Sequence, residues 1–154
     1  VEQYSLAASV KKNERRVTVV GSGFQTKNKR SRVSAKILNW GLKKFDTIQV
    51  IEENEIFTSL DVWIGKKNKV EVSSEESYYL TIPKRKKKTI KAVVEYTGPI
   101  EAPIKKGDKI ALLNIYVSGE LKKQINLLST EDIKKSNIFS RLLTSLNYLV
   151  WGDV

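Results

Sequence analysis

The chain has 154 residues, 28 Lys and Arg against 17 Asp and Glu, a formal net charge of +11, and neither Cys nor His. Those counts exclude a disulfide framework, a zinc site of the usual thiolate and imidazole ligands, a His general base and a Cys nucleophile. A hydrophobic share of 40% suffices for a packed core, and the basic excess points to a polyanionic neighbour: nucleic acid, an anionic membrane surface or cell-wall polymer.

The charge is unevenly placed. Residues 1–45 carry a net of +9, residues 46–137 only +2, and the last 17 residues sum to zero. These stretches also differ in texture, so they are read as separate units. The first reads strand, strand, helix. Tyr4 to Val10 is an apolar run of strand length, Lys11 to Glu14 a turn, and Arg15 to Val20 a second, β-branched run. Gly21-Ser22-Gly23 is expected to break it. From about Asn28 to Phe45, Val33, Ile37, Leu38, Trp40, Gly41 and Phe45 recur at spacings of three and four, which predicts a one-faced helix. Two strands and a helix are too few to close a core. The sequence starts at Val1 without a leader-like segment, so the expectation is a processed chain or an internal piece, with this unit the end of a larger domain.

The second unit is strand-rich. Runs at Thr47–Ile51, Thr58–Ile64, Lys69–Val72, Tyr78–Ile82, Thr89–Tyr96, Lys109–Val117 and Leu121–Leu128 alternate with turn signals such as Gly98-Pro99 and Lys106-Gly107-Asp108. Ser118-Gly119 joins the last two as a β-hairpin. Seven short strands without helical periods between them predict an antiparallel sandwich or small barrel. Within this unit, Lys84-Arg85-Lys86-Lys87-Lys88 is the densest basic cluster. It reads either as an anion-binding hairpin or as a solvated turn with Lys guarding an edge strand, and the solvated turn is favoured.

The tail is the most apolar stretch. Ile138, Phe139, Leu142, Leu143, Leu146, Leu149 and Val150 recur at helical spacing, with Trp151 beside them and polar residues opposite. Such a helix, too short to span, suits the plane of a membrane interface. The alternative is a terminal helix docked on the sheet, which is slightly favoured without context.

Catalytic signatures are weak. Ser9-Val10-Lys11-Lys12 matches S-x-x-K, but that chemistry wants Ser and Lys one helical turn apart, and here the Ser ends a strand. Ser145-Leu146-Asn147 matches S-x-N inside the apolar tail. Gly21-Ser22-Gly23 lacks the rest of a phosphate loop, and Glu52, Glu53 and Glu55 read as solvated surface. No residue of the chain is assigned a catalytic role, and no metal or cofactor site is expected.

Taken in order, several segments resemble one family. Tyr4-Ser5-Leu6-Ala7-Ala8-Ser9 resembles the strand after a K-T-G motif, and Arg30 to Phe45 the last helix of a peptidase domain. Val62-Trp63-Ile64-Gly65, Leu80-Thr81-Ile82-Pro83-Lys84 and Ala102 to Gly107 resemble signposts of an all-β C-terminal domain, and Asn137 to Trp151 an amphipathic membrane anchor. The chain resembles the C-terminal portion of a low-molecular-mass penicillin-binding protein of the 5/6 type, a serine D-alanyl-D-alanine carboxypeptidase.

The resemblance implies a mainly β fold. A strand-strand-helix remnant of an α/β transpeptidase-like domain (1–45) precedes an antiparallel β-sandwich (46–136), and an amphipathic helix (137–154) follows. It implies that S-x-x-K, S-x-N and K-T-G lie upstream of Val1, so this chain is inactive alone. The intact enzyme would acylate its Ser with the penultimate D-Ala of a cell-wall stem peptide and then hydrolyse the adduct. By the same resemblance, Arg30, eleven residues before Gly41, helps hold the substrate's terminal carboxylate. A solvated Arg within the basic stretch from Lys27 to Arg32 is the competing reading. The implied partners are the peptidoglycan stem peptide, the membrane surface and other cell-wall proteins, with no cofactor and no nucleic acid. The implied place is periplasmic or extracytoplasmic, peripheral on the outer face of the cytoplasmic membrane. The alternative from another class is a small basic β-barrel that binds nucleic acid.

Overall fold

A computed structural model describes residues 3–13 and 15–136. The fold is mainly β. In chain order the elements are β1 (Tyr4–Lys12), β2 (Arg15–Phe24), α1 (Lys27–Lys44), β3 (Phe45–Ile51), β4 (Ile56–Trp63) and β5 (Lys69–Ser73). There follow β6 (Tyr78–Pro83), a 3-10 helix (Lys84–Thr89), β7 (Ile90–Glu95), β8 (Ile100–Glu101), β9 (Lys109–Val117) and β10 (Glu120–Ser129). The chain forms two compact units, Val1–Ile48 with Tyr79–Lys88, and Gln49–Tyr78 with Thr89–Val154. The segment Tyr79–Lys88, which the linear division assigned to the all-β stretch, thus groups with the N-terminal unit.

In the first unit β1 and β2 form an antiparallel pair running from Lys12 opposite Arg15 to Tyr4 opposite Phe24. The expected break at Gly21-Ser22-Gly23 does not occur. β2 continues through it because the register shifts between Tyr4 and Leu6, and Gly23, at φ +77°, absorbs the irregularity without a Cβ clash. The helix starts one residue before the expected position, with the Thr26 hydroxyl accepting from the Lys29 N–H at 3.1 Å. Only part of its expected apolar face is packed. Ser34 is buried and Val33, Leu38, Gly41 and Leu42 are half-buried, but Ile37 and Trp40 remain 43% and 55% exposed. Two strands offer too little cover, and up to Phe45 Val19, at 9% exposure, is the only buried apolar side chain among the described residues.

Two contacts fix the helix on its hairpin. A Cβ on Gly41 would lie 2.9 Å from Val17 Cγ1, so the glycine sets the close approach. The Arg15 guanidinium donates to the carbonyls of Gly41, at 2.6 Å, and Phe45, satisfying the helix's C-terminal acceptors with a cation where the dipole favours one. Arg15→Ala is expected to cost this unit about 2 kcal/mol, the scale of a hydrogen bond to a charged group. An unchanged thermal midpoint of the 222 nm helical signal would contradict that. Also in this unit, β3 pairs with β6, the Thr47 and Thr81 hydroxyls lie 2.8 Å apart, and Asp46 lies 3.8 Å from Lys84.

The second unit holds a six-stranded sheet in the order β7-β9-β10-β5-β4-β8, antiparallel except for the β4–β8 pair. The β9–β10 hairpin turns at Ser118 and Gly119, both at positive φ, as its tight turn requires. Along β9 the side chains of Ala111, Leu113, Ile115 and Val117 are buried at alternate positions and join Val70, Val72 and Leu127 in the core. The described chain ends tied down: Ile133 and Ile104 exchange backbone hydrogen bonds, and the Ser136 N–H donates to the Ile64 carbonyl.

Two local expectations are corrected. Of the two readings of Lys84 to Lys88, the anion-binding hairpin is the one corrected; the favoured solvated turn is what forms, a 3-10 helix with no buried residue that leads into the terminal strand β7. The flanking strands have different partners, β6 pairing with β3 and β7 with β9, so no hairpin can close there. Ile100-Glu101 forms an additional short strand, parallel to Val62-Trp63. The expected tail helix (Ile138, Phe139, Leu142, Leu143, Leu146, Leu149, Val150 and Trp151) lies outside the described residues.

Candidate anion-binding site

The N-terminus of α1 gathers positive charge. Lys27, Lys29 and Arg30 occupy its first turn, and no acidic residue accompanies them. Cations at the positive end of a helix dipole are unfavourable, so the placement creates a demand for an anion. The three are not equivalent. Lys29 Nζ bonds Gln25 Oε1 at 3.3 Å and is exposed. Lys27 Nζ and the Arg30 guanidinium carbon each lie 5.9 Å from the centroid of the Tyr4 ring, which is carried on the first residue of β1. Arg30 is half-buried, and its Nε is buried without a hydrogen-bond partner among the described residues. One turn on, Ser34 is 2% exposed and its hydroxyl is likewise unpartnered.

A guanidinium held against an aromatic face, with donor capacity left over, suits a carboxylate or phosphate that can accept two parallel bonds. This separates Arg30 from its neighbours, because Arg32 is exposed. Tyr4 is the partner that local reading missed. It lies 26 residues away, and only the hairpin register, with Tyr4 opposite Phe24 just before the helix, brings it close.

The remaining motifs resolve simply. Ser9 lies on β1, its hydroxyl accepting from Arg16 at 3.1 Å, and the odd spacing to Lys12 turns the two side chains to opposite faces of the strand. The S-x-x-K match therefore holds no nucleophile and base together. Glu52, Glu53 and Glu55 are exposed, and the Glu53 N–H donates to Ser77 Oγ. Ser145-Leu146-Asn147 lies outside the described residues. Among the described residues no group of His, Cys, Asp and Glu is placed to hold a metal ion, and no helix is long and apolar enough to cross a membrane. Shallow clefts on the second unit have volumes of about 260 and 290 Å³, below the usual range of small-molecule pockets.

Comparison with known proteins gives a consistent result. Residues 45–135 match the model of the family described as penicillin-binding protein 5, C-terminal domain. The D-alanyl-D-alanine carboxypeptidase DacC of Escherichia coli K12 is 31% identical over 140 residues, covering 90% of this chain and 35% of that protein. The crystal structure of penicillin-binding protein 5 from Haemophilus influenzae superposes with a TM-score of 0.68 at 30% identity, covering 86% of this chain and 39% of that one. The D-alanyl-D-alanine carboxypeptidase DacD structure from Francisella tularensis gives 0.65 at 25% identity, covering 86% and 33%. The chain spans about a third of the length of the curated relatives it matches.

Proposed function

The chain belongs to the penicillin-binding protein 5 C-terminal domain family, and from that membership we propose that it is the non-catalytic C-terminal part of a D-alanyl-D-alanine carboxypeptidase that trims peptidoglycan stem peptides. One observation carries the reading. The 140-residue match to a carboxypeptidase exceeds the 91-residue β domain, so it must take in residues outside 45–135. A free-standing β module has no reason to carry that extension. In this reading the β domain is a spacer or a docking module for other cell-wall proteins. The 137–154 segment lies in the membrane interface, and the protein works on the outer face of the cytoplasmic membrane. Nothing in the comparisons favours the nucleic-acid alternative.

The N-terminal unit supplies one substrate contact. Arg30, braced on Tyr4, accepts the terminal carboxylate of the stem peptide, while nucleophile and base come from the preceding catalytic half. The 154-residue chain alone is expected to form no covalent adduct with a fluorescent penicillin, whereas the longer polypeptide containing it does. Labelling of the short chain, or of neither, would sink the reading. In that longer enzyme, Arg30→Gln should raise KM about tenfold or more for a peptide ending in free D-Ala, the scale of a lost charge-assisted hydrogen bond. A substrate whose terminal carboxylate is amidated should be unaffected. Equal losses on both substrates would assign Arg30 to folding instead.

A further inference from the structure

β7 is the terminal strand of the six-stranded sheet, and its outer edge pairs with no other strand among the described residues. Such an edge is a template for another strand unless something blocks it. Here the blocking device is charge alone, the Lys84–Lys88 run that leads into the strand and Lys91 and Glu95 on it. The strand Ile90-Lys91-Ala92-Val93-Val94-Glu95 has no proline, its pairing to β9 has no register shift, and Val93 is 48% exposed.

The orientation of its backbone follows from one bond. The Ser118 N–H donates to the Thr89 carbonyl at 3.2 Å, so the polar groups of Thr89 face β9. Alternation then turns those of Lys91, Val93 and Glu95 toward β9 and those of Ile90, Ala92 and Val94 outward. An incoming strand would meet the donors and acceptors of Ala92 and Val94.

The side chains say which strand fits. Lys91, Val93 and Glu95 share the sheet face that also carries Tyr116 and Asn114 of β9, opposite which they pair. The sequence around Val93 is self-complementary in charge. If two copies of β7 run antiparallel about a two-fold axis at Val93, Val93 faces its own copy. Each Lys91 then faces the other copy's Glu95, and Ala92 and Val94 exchange main-chain bonds. The facing pairs at 91, 93 and 95 are of the non-hydrogen-bonded kind, in which side chains approach most closely. Lys91 and Glu95 are exposed and form no ion pair among the described residues; Glu95 accepts from Asn114 Nδ2 at 2.7 Å, which steadies its carboxylate on that face.

We propose that β7 is a self-association edge, joining two copies of this chain into one continuous antiparallel sheet through a two-fold axis at Val93. The proposal does not depend on the carboxypeptidase reading. A single strand edge buries less than a standard interface, so the association is transient, and cross-linking is the suitable readout.

The chain has no Cys, so Val93→Cys gives the full 154-residue chain a single thiol. In the paired state the two thiols face each other at a Cα separation of about 4.5 Å, within disulfide range. Under mild oxidation Val93→Cys should form a covalent dimer at least about tenfold faster than Leu121→Cys, a similarly exposed position away from the edge. Equal rates would overturn the proposal. Ala92→Pro removes an outward N–H and leaves the β9 bonds intact, so in the Val93→Cys background it should slow the dimer to the control rate. Lys91→Glu should slow it too, and adding Glu95→Lys should restore it, with folding of each variant checked by far-ultraviolet circular dichroism. If the paired charge swap fails to rescue a folded protein, the register is wrong and the proposal falls.

Discussion

Replacing Leu142 and Leu146 together by Glu is expected to abolish binding of the 154-residue chain to zwitterionic phospholipid vesicles, and removing residues 137–154 to do the same. Zwitterionic lipid isolates the apolar contribution, because on an anionic surface the +11 charge of the chain would attract it regardless. Residues 138–150 offer seven large apolar side chains at helical spacing, against a single Arg. Each is worth about 1.5–3 kcal/mol when fully buried. Even a fraction of that sum exceeds the roughly 2.7 kcal/mol that a hundredfold change in binding represents. Flotation of vesicles with bound protein should therefore lose signal by about two orders of magnitude. If the tail is instead a helix docked on its own sheet, the same double substitution lowers the thermal midpoint and leaves vesicle binding unchanged. That outcome would remove the membrane-anchor role from the proposed function.

What could be read from the residues was what local chemistry dictates. Ser118-Gly119 between two alternating runs is visible as a tight hairpin, since that depends on a few adjacent backbone angles. What could not be read depends on partners distant in sequence. Gly21 to Gly23 has the composition of a break, yet the strand continues because Tyr4 and Leu6 shift register opposite it. Lys84 to Lys88 is legible as a solvated turn, but that its two flanking strands belong to different sheets is not. Two residues at Ile100-Glu101 are too few to show a period and become a strand only because Val62 and Trp63 lie alongside. The candidate anion site divides too. Arg30 is singled out only by the resemblance, which counts back from Gly41, while Tyr4, which braces it, is placed by the hairpin. The edge of β7 is the converse case, because its charge pattern is plain in the sequence but acquires meaning only once the strand is known to end a sheet.

The largest loss of stability is expected at Leu113. It is fully buried at the middle of β9, opposite Val94 on one side and Ile125 on the other. Truncation to Ala removes apolar contact and leaves a cavity that two flanking strands, fixed by their own ladders, cannot collapse into, at a cost of about 2–5 kcal/mol. Against a domain stability of about 5–15 kcal/mol, that lowers the melting temperature by roughly 10–30 °C. Leu113→Met keeps the volume and should cost under about 1.5 kcal/mol, and Leu121→Ala, at a 47% exposed position, less than about 0.5. The adjacent residue sharpens the test. Asn114 is also buried, but it points to the other face, donating to Glu95 at 2.7 Å and accepting from Gln124 at 2.9 Å. Both partners are on exposed residues and can return to water, so Asn114→Ala leaves no buried group unsatisfied and should cost about 1 kcal/mol. If the two substitutions proved equally damaging, burial on β9 would not be divided between an apolar and a polar face. The alternation that places Lys91, Val93 and Glu95 together on the outer face of β7 would then fail with it.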